Sequence, residues 1–199
     1  MDLEEEYNER KDLIKKRLKD FSNIKKEDYF YEACFCILTP QSSARQCWKA
    51  ISQLKDNDFE NKNINLLNHL NDKIRFYINK SKYLLELKNN WLIIKNKIGD
   101  IKDSRELREF LVKNVKGYGY KEASHFLRNI GHRDLAILDR HILRNLFNLK
   151  VINEIPKTLT KKKYFEIEQK FIEFSNKVNI PMDELDLLFW SQETGEIFK

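Results

Sequence analysis

Glycine and proline are scarce in this sequence, and that scarcity limits its possible folds more than any other feature. The 199 residues contain only 5 Gly and 3 Pro. A sandwich or barrel of many short strands needs a turn after each strand, and such turns depend on these two residues. Hydrophobic residues make up 41% of the chain, which is enough to build a core. We therefore predict an all-α fold in which helices are joined by short loops.

The hydrophobic pattern places several of these helices. Residues 27–38 (EDYFYEACFCIL) are apolar nearly all round, which is typical of a buried central helix. This helix is expected to stop near Thr39-Pro40, because a residue before proline avoids the α region. Asp103 and Glu106 have the spacing of a capping box at the start of a later helix. Further amphipathic helices are predicted at about 2–20, 44–54, 121–130, 139–148, 160–178 and from about 181 onward.

The charge and the cysteines exclude some classes of protein. A net charge of +6 and a pI near 9.0 favour a polyanion such as nucleic acid as the partner, although a merely soluble helical protein can carry the same excess. The cysteines are Cys34, Cys36 and Cys47, and no C-x-x-C motif is present. This argues against a zinc ribbon or a cysteine-ligated iron–sulfur cluster and for reduced, buried thiols.

The start of the sequence and its apolar runs bear on where in the cell the protein is expected to be. The sequence starts MDLEEEYNERK, which is acidic and has no apolar signal-peptide core. No apolar stretch reaches the roughly 18 residues that a membrane span needs. We expect a cytoplasmic protein with no membrane association, which in a prokaryote would be associated with the nucleoid.

The most informative stretch is the hairpin that follows the helix ending near Asn114. It reads Val115-Lys116-Gly117-Tyr118-Gly119. Two glycines two residues apart permit backbone conformations closed to other residues, and they leave the turn's N–H groups open to a phosphate. Lys116 would add positive charge there. The same pattern is also typical of a tight turn between two helices with no further role.

Two residues after the hairpin are candidates for chemistry. Lys121 lies in the first turn of the next helix, where the positive helix end disfavours an ammonium and so favours the neutral, nucleophilic amine. A solvated lysine is the alternative. Asp139 follows the apolar run 135–138 and precedes the helix RHILRNLF, where its simplest role is an N-cap. A carboxylate that returned beside the lysine would hold the amine, accept its proton or stabilise a sugar cation.

This arrangement strongly resembles the helix-hairpin-helix DNA glycosylase superfamily. In that superfamily a hairpin ending G-x-G precedes the catalytic helix and a distal Asp, and a lysine at the position of Lys121 marks the members that combine glycosylase with AP-lyase activity. The likeness within it is to the archaeal-type 8-oxoguanine glycosylases, because of the tail DELDLLFWSQETGEIFK and the lack of a cysteine cluster. The hairpin departs from the usual pattern at Val115-Lys116, where Leu-Pro is common, and at Tyr118, where a small or aliphatic residue is common.

The resemblance implies an activity, a partner and a set of site residues. It implies a two-lobed helical bundle without an iron–sulfur cluster, in one unit over 1–199. The central lobe would span about 30–130 with the hairpin at 111–130, and the terminal lobe about 1–29 plus 131–199. The enzyme would be a monomer acting on double-stranded DNA that contains oxidised guanine. It would excise 8-oxoguanine through a Schiff base on a lysine and then cut the strand by β-elimination, with no cofactor or metal required and an alkali cation possible at the hairpin. The implied site residues are Lys121 and Asp139 for catalysis, Gly117, Gly119, Lys116 and His141 for the DNA backbone, Lys199 and Trp190 for base recognition, and Gln41, Phe76, Tyr77, Ile78 and Asn79 for probing or wedging the duplex.

Two other functions remain open from the sequence. One is a glycosylase on the same scaffold that acts on another lesion or on a mismatch; the tail ending at Lys199 argues against it. The other is a non-catalytic helix-hairpin-helix module that only binds DNA; the pairing of Lys121 with Asp139 argues against it.

Overall fold

The structure, a computed structural model, describes residues 3–71 and 73–199, and every regular element among them is helical. The all-α prediction is therefore confirmed. The predicted helix over 2–20 corresponds to the first helix, with Asp2 outside the described residues. The ten α-helices are α1 (Leu3–Ser22), α2 (Tyr29–Leu38), α3 (Ala44–Asp56), α4 (Leu66–Leu70), α5 (Tyr77–Asp100), α6 (Ser104–Asn114), α7 (Tyr120–Asn129), α8 (Arg140–Asn148), α9 (Lys161–Val178) and α10 (Met182–Thr194).

The chain divides into two compact units, and the boundary falls inside α7. The central unit is Ile24–Phe126, and the terminal unit is the chain up to Asn23 together with Leu127–Lys199. The central unit therefore contains the hairpin and the first turns of α7. The terminal unit contains α1, the end of α7, and α8 to α10.

The core of the central unit is built around α2. Nine of its ten residues are buried, as its all-round apolar sequence predicted. Phe30 meets Trp91 of α5 edge to face, with ring centroids 5.3 Å apart, and its ring lies 5.7 Å from that of Phe59. Burying a side chain of this size stabilises a fold by roughly 1.5–3 kcal/mol. In this core α2 packs against both α3 and α5.

The core of the terminal unit lies between α1 and α10, with α8 and α9 against α10. α1 buries Ile14, Leu18 and Phe21 on one face. A buried ion pair also lies here, with Arg128 Nη1 3.2 Å from Asp186 Oδ2 and the guanidinium 4.8 Å above the ring of Phe21. Removing one partner of such a pair would leave a buried charge without compensation, at a cost of about 3–5 kcal/mol.

None of the helices in the described part of the chain is both long enough and apolar enough to cross a membrane. Within the same residues, no group of three or more His, Cys, Asp or Glu side chains is placed to hold a metal ion. Cys34, Cys36 and Cys47 are free and buried, as expected from the sequence.

Candidate active site

The hairpin between α6 and α7 depends on Gly117 for two reasons. Its φ of +88° lies in the region that favours glycine. A Cβ atom at this position would also lie 2.7 Å from Cδ2 of the Tyr83 ring. Any other residue would therefore be strained in its backbone and would clash with the aromatic ring packed against the turn.

The middle residue of the hairpin, Tyr118, anchors the turn to the core. Its side chain is buried, and its hydroxyl donates a 3.0 Å hydrogen bond to the carbonyl of Ala33 in α2. Its ring lies 6.2 Å from that of Phe126 in α7. Burial holds the pKa of the Tyr118 hydroxyl well above its usual value, so the group remains a donor. The bulky residue at this unusual position thus fixes the hairpin on both α2 and α7.

Glu122 caps the start of α7, a role that was not predicted from the sequence. Its Oε2 accepts a 3.0 Å hydrogen bond from the N–H of Gly119, whose own carbonyl accepts from the N–H of Ala123. The bond from the Glu122 carboxylate to the Gly119 N–H is one half of a capping box, and glycine has no side chain to supply the other half. The bond from Ala123 is the first regular bond of α7. The signal for this cap was the three-residue spacing from Gly119 to Glu122. The Tyr118 N–H donates to the Val115 carbonyl. The N–H groups of Tyr118 and Gly119 are thus both bonded within the protein. The predicted contact between the hairpin and a DNA phosphate remains a prediction.

Lys121 lies one residue before Glu122 in the same first turn. Its side chain is 21% exposed, and its Nζ is 3.8 Å from Oε1 of Glu122. The nearby thiol of Cys47 has its pKa raised to about 11 by burial, against the lowering effect of the Lys80 and Lys121 charges. The thiol therefore stays protonated at neutral pH. Among these groups the lysine amine is the accessible nucleophile.

Asp139, in the terminal unit, is the N-cap of α8, as its place in the sequence predicted. Its Oδ1 accepts 2.8 Å hydrogen bonds from the N–H groups of His141 and Ile142. Its Oδ2 takes no part in this cap, and the residue is partly exposed. One oxygen thus anchors the start of α8, and the cap does not use the other.

Two side chains of α8, those of His141 and Arg144, lie against one carboxylate of α10. Both oxygens of Glu193 lie 3.1 Å from Nη1 of Arg144, and its Oε2 is 3.4 Å from Nδ1 of His141. His141, predicted to contact a DNA phosphate, therefore faces an acidic group in this state. Whether it contacts DNA stays a prediction.

The end of the chain packs instead of fraying. Lys199 is only 9% exposed. Trp190 is partly exposed near the end of α10, and its ring lies 6.4 Å from that of Phe198. Gly195, with a φ of +76°, ends α10 and lets the last residues turn back. The base-recognition roles of Lys199 and Trp190 remain predictions.

Two of the residues predicted to probe or wedge the duplex adopt unusual backbone conformations. Gln41 and Phe76 have φ values of 55° and 60°, in the left-handed region that few non-glycine residues adopt. Phe76 immediately precedes α5, and its side chain is 52% exposed beneath the guanidinium of Arg75, 4.9 Å away. Tyr77, Ile78 and Asn79 form the first turn of α5, and Ile78 is also 52% exposed. An exposed aromatic side chain held in this way is suited to insertion between bases.

A helical fold without strands in its described residues, a G-Y-G hairpin and a lysine in the first turn of the next helix define a helix-hairpin-helix DNA glycosylase. Comparison with known proteins agrees. The model of the 8-oxoguanine DNA glycosylase family matches residues 14–180. The chain belongs to this 8-oxoguanine DNA glycosylase family.

Relatives in the family match along most of their length. An 8-oxoguanine DNA glycosylase/AP lyase of Fusobacterium nucleatum is 50% identical over 100% of this chain and 96% of its own. The enzyme of the same description from Methanocaldococcus jannaschii is 41% identical over 95% of this chain and 93% of its own.

Solved structures agree with this assignment. The crystal structure of the Methanocaldococcus jannaschii enzyme in complex with a 15mer DNA containing 8-oxoguanine has a TM-score of 0.85 and 38% identity, with all of both chains covered. The crystal structure of the 8-oxoguanine DNA glycosylase of Thermotoga maritima has a TM-score of 0.89 and 33% identity, and covers 99% of this chain and 96% of that one.

Proposed function

We propose that this protein excises 8-oxoguanine from duplex DNA and then cleaves the strand at the abasic site that it has made. The observation that carries the proposal is the lysine two residues after the G-Y-G hairpin, Lys121, in a chain whose full-length relatives are named 8-oxoguanine DNA glycosylase/AP lyase. The charge excess of +6 supports binding to the phosphate backbone.

In the proposed reaction the neutral Nζ of Lys121 attacks C1′ of the extruded nucleotide. The bond from C1′ to the base breaks, and the base leaves with the electron pair and takes up a proton. Ring opening of the sugar gives a Schiff base between Lys121 and C1′. Loss of a proton from C2′ then expels the 3′ oxygen, which cuts the strand. Each step uses only amine, carboxylate and water, and needs no cofactor.

Asp139 has the second role in this proposal. Because only its Oδ1 serves the α8 cap, Oδ2 is available to accept a proton from the amine or to stabilise positive charge on the sugar. The cap fixes the orientation of the carboxylate, as a catalytic group requires.

Recognition of the lesion is proposed to use the packed tail. The N7 atom is an acceptor in guanine and carries a proton in 8-oxoguanine. A main-chain oxygen of Lys199 aimed at N7 would favour the lesion and repel guanine. Trp190 would stack on the base, a contact worth roughly 1–3 kcal/mol. The burial of Lys199 and the partial exposure of Trp190 are consistent with these roles.

Base release from a panel of duplexes tests the proposed substrate. Four duplexes would differ only in one nucleotide: 8-oxoguanine, uracil, 3-methyladenine or mismatched thymine. We expect release of 8-oxoguanine followed by strand cleavage, and little release of the other bases. Preferential release of one of the other bases would contradict the substrate assignment, and release without any strand cleavage would contradict the lyase activity.

A further inference from the structure

Lys80 is a buried cation whose position the proposed chemistry does not explain. It lies in the first turn of α5 and is only 5% exposed. A lysine is unfavourable at this place for two reasons, since the ammonium is removed from water and the start of a helix is already positive. A side chain kept there at such a cost must make compensating contacts.

The contacts of the Lys80 ammonium all go to one loop. Its Nζ donates hydrogen bonds to the carbonyls of Leu38 and Pro40, both at 2.7 Å, and to the hydroxyl of Ser42 at 3.0 Å. These three acceptors belong to the end of α2 and the loop 39–43 that follows it. The ammonium therefore binds this loop as a bound metal cation would, through converging neutral oxygens.

The same loop is also tied to the segment before α5. The Ser42 hydroxyl accepts a 3.1 Å hydrogen bond from the main-chain N–H of Arg75. Lys80 is itself joined to Phe76 by the first regular bond of α5, from its main-chain N–H to the Phe76 carbonyl at 3.1 Å. Lys80 and Ser42 thus join the loop 39–43 to the segment 75–80 by hydrogen bonds, and we call this set of hydrogen bonds the clamp.

Each locked segment carries one strained residue that we expect to face DNA. Gln41 and Phe76 both have left-handed backbones, with φ values of 55° and 60°. Such conformations cost about 1 kcal/mol or more each and persist only where the surrounding structure imposes them. The hydrogen bonds of Lys80 and Ser42 bracket both residues and supply that constraint.

We propose that Lys80 is a positioning residue, which holds the Gln41 loop and Phe76 in the one arrangement that opens the duplex at the lesion. This inference rests on the proposed function, because it concerns how the damaged base is extruded before Lys121 reacts. It assigns Lys80 no contact with the base or the sugar. Its loss would impair base extrusion while leaving the later chemistry intact.

The test compares Lys80→Met with a matched control on the same helix. Lys88 also donates to a main-chain carbonyl, that of Lys62 at 2.7 Å, but it lies outside the clamp, so Lys88→Met controls for the loss of one such cation. Single-turnover rates are measured on two duplexes, one with 8-oxoguanine and one with a preformed abasic site, in which no base remains to be extruded. Misplacement of a positioning group by an ångström costs up to about a hundredfold, and we expect the ratio of the excision rate to the cleavage rate to fall about tenfold in Lys80→Met. In Lys88→Met the ratio should stay within about twofold of wild type.

A second readout reports on the clamp without any activity. Amide hydrogen exchange in peptides covering 39–43 and 75–77 should quicken in Lys80→Met and stay unchanged in Lys88→Met. If Lys80→Met does not fold, Ser42→Ala removes the shared hydroxyl instead and should change both readouts in the same direction by a smaller amount.

The outcomes separate this inference from the proposed function. A wild-type protein that releases no 8-oxoguanine would contradict the proposed function, while hydrogen exchange would still decide whether the clamp exists. Rates that fall equally on both duplexes, an unchanged ratio or unchanged exchange would each overturn the positioning role of Lys80.

Discussion

The carboxylate of Glu122 lies 3.8 Å from the ammonium of Lys121, and its other oxygen caps the helix that carries them both. One acidic side chain therefore joins the hairpin glycine to the proposed nucleophile. Adjacent residues on a helix do not normally face each other, and the contact forms because both side chains lie along the open first turn. The two roles of Glu122 can be separated by substitution.

Substitution of Glu122 tests the cap. Glu122→Ala should lower the free energy of unfolding by about 1 kcal/mol, since it removes the acceptor of the Gly119 N–H. Glu122→Gln keeps an acceptor oxygen and should lose well under half of that amount. Urea denaturation measures both. Equal losses in the two variants would show that charge, and not capping, is what Glu122 contributes to stability.

Two of the left-handed glycines, Gly117 and Gly195, offer a matched test of the hairpin's sterics. Gly195→Ala should cost about 1–2 kcal/mol for its backbone conformation alone, because the space around its Cβ is open. Gly117→Ala should cost more than this, because its Cβ would also lie 2.7 Å from the Tyr83 ring. The comparison is of unfolding free energies at one pH. A Gly117→Ala variant that is no less stable than Gly195→Ala would mean that the Tyr83 ring moves aside at no cost in free energy.

The free energy of unfolding should depend on pH because of Lys80. Burial is the main cause that lowers the pKa of Lys80 from 10.5 to about 8. The charges of Lys121 and Arg75 lower this pKa further, while Cys47 and Glu122 raise it. Because the unfolded chain keeps its proton to a higher pH, it binds more protons between about pH 8 and 10.5. Stability from this group must then rise with pH across that window.

The size of this effect can be measured against Lys80→Met. The shift corresponds to about 3 kcal/mol, so the unfolding free energy of the wild type relative to Lys80→Met should increase by up to that amount between pH 7.5 and 10.5. Subtracting the unfolding free energy of Lys80→Met from that of the wild type at each pH removes the contribution of groups that titrate equally in both proteins. A flat or falling difference over this range would show that Lys80 keeps its proton to a higher pH.

The tail provides a prediction about lesion discrimination. Deletion of Lys199 should reduce the preference of binding for an 8-oxoguanine duplex over a guanine duplex, with little change in melting temperature. Lys199→Ala is the control, because it keeps a main-chain oxygen at this position and loses only the side chain. A preference that survives the deletion, or one lost equally in Lys199→Ala, would contradict recognition through the main chain.

Local features of this fold follow closely from the sequence. The buried helix at Tyr29–Leu38, the cap at Asp139 and the bond from the Glu106 N–H to Asp103, 2.7 Å long, were all predictable because each depends on residues within a few positions of one another. Periodicity and capping chemistry carry that information directly.

Two of the contacts that the sequence did not predict involve distant partners. The hydroxyl of Tyr118 bonds the carbonyl of Ala33, 85 positions away, and the sequence marks Tyr118 only as unusual. Lys80 stands in a polar stretch and resembles a solvated lysine, because the carbonyls that hold it are 40 and 42 positions earlier. Main-chain acceptors have no sequence signature, and only the packing of α2 against α5 brings them to the ammonium.

Borohydride trapping on a duplex containing 8-oxoguanine tests the central claim most directly. Reduction of the Schiff base should attach the protein covalently to the DNA, and Lys121→Gln should abolish the attachment while leaving DNA binding largely intact. Lys102→Gln, which removes an exposed lysine whose ammonium donates to the Gly99 carbonyl, should trap like the wild type. Covalent attachment that persists in Lys121→Gln would contradict the assignment of Lys121 as the nucleophile.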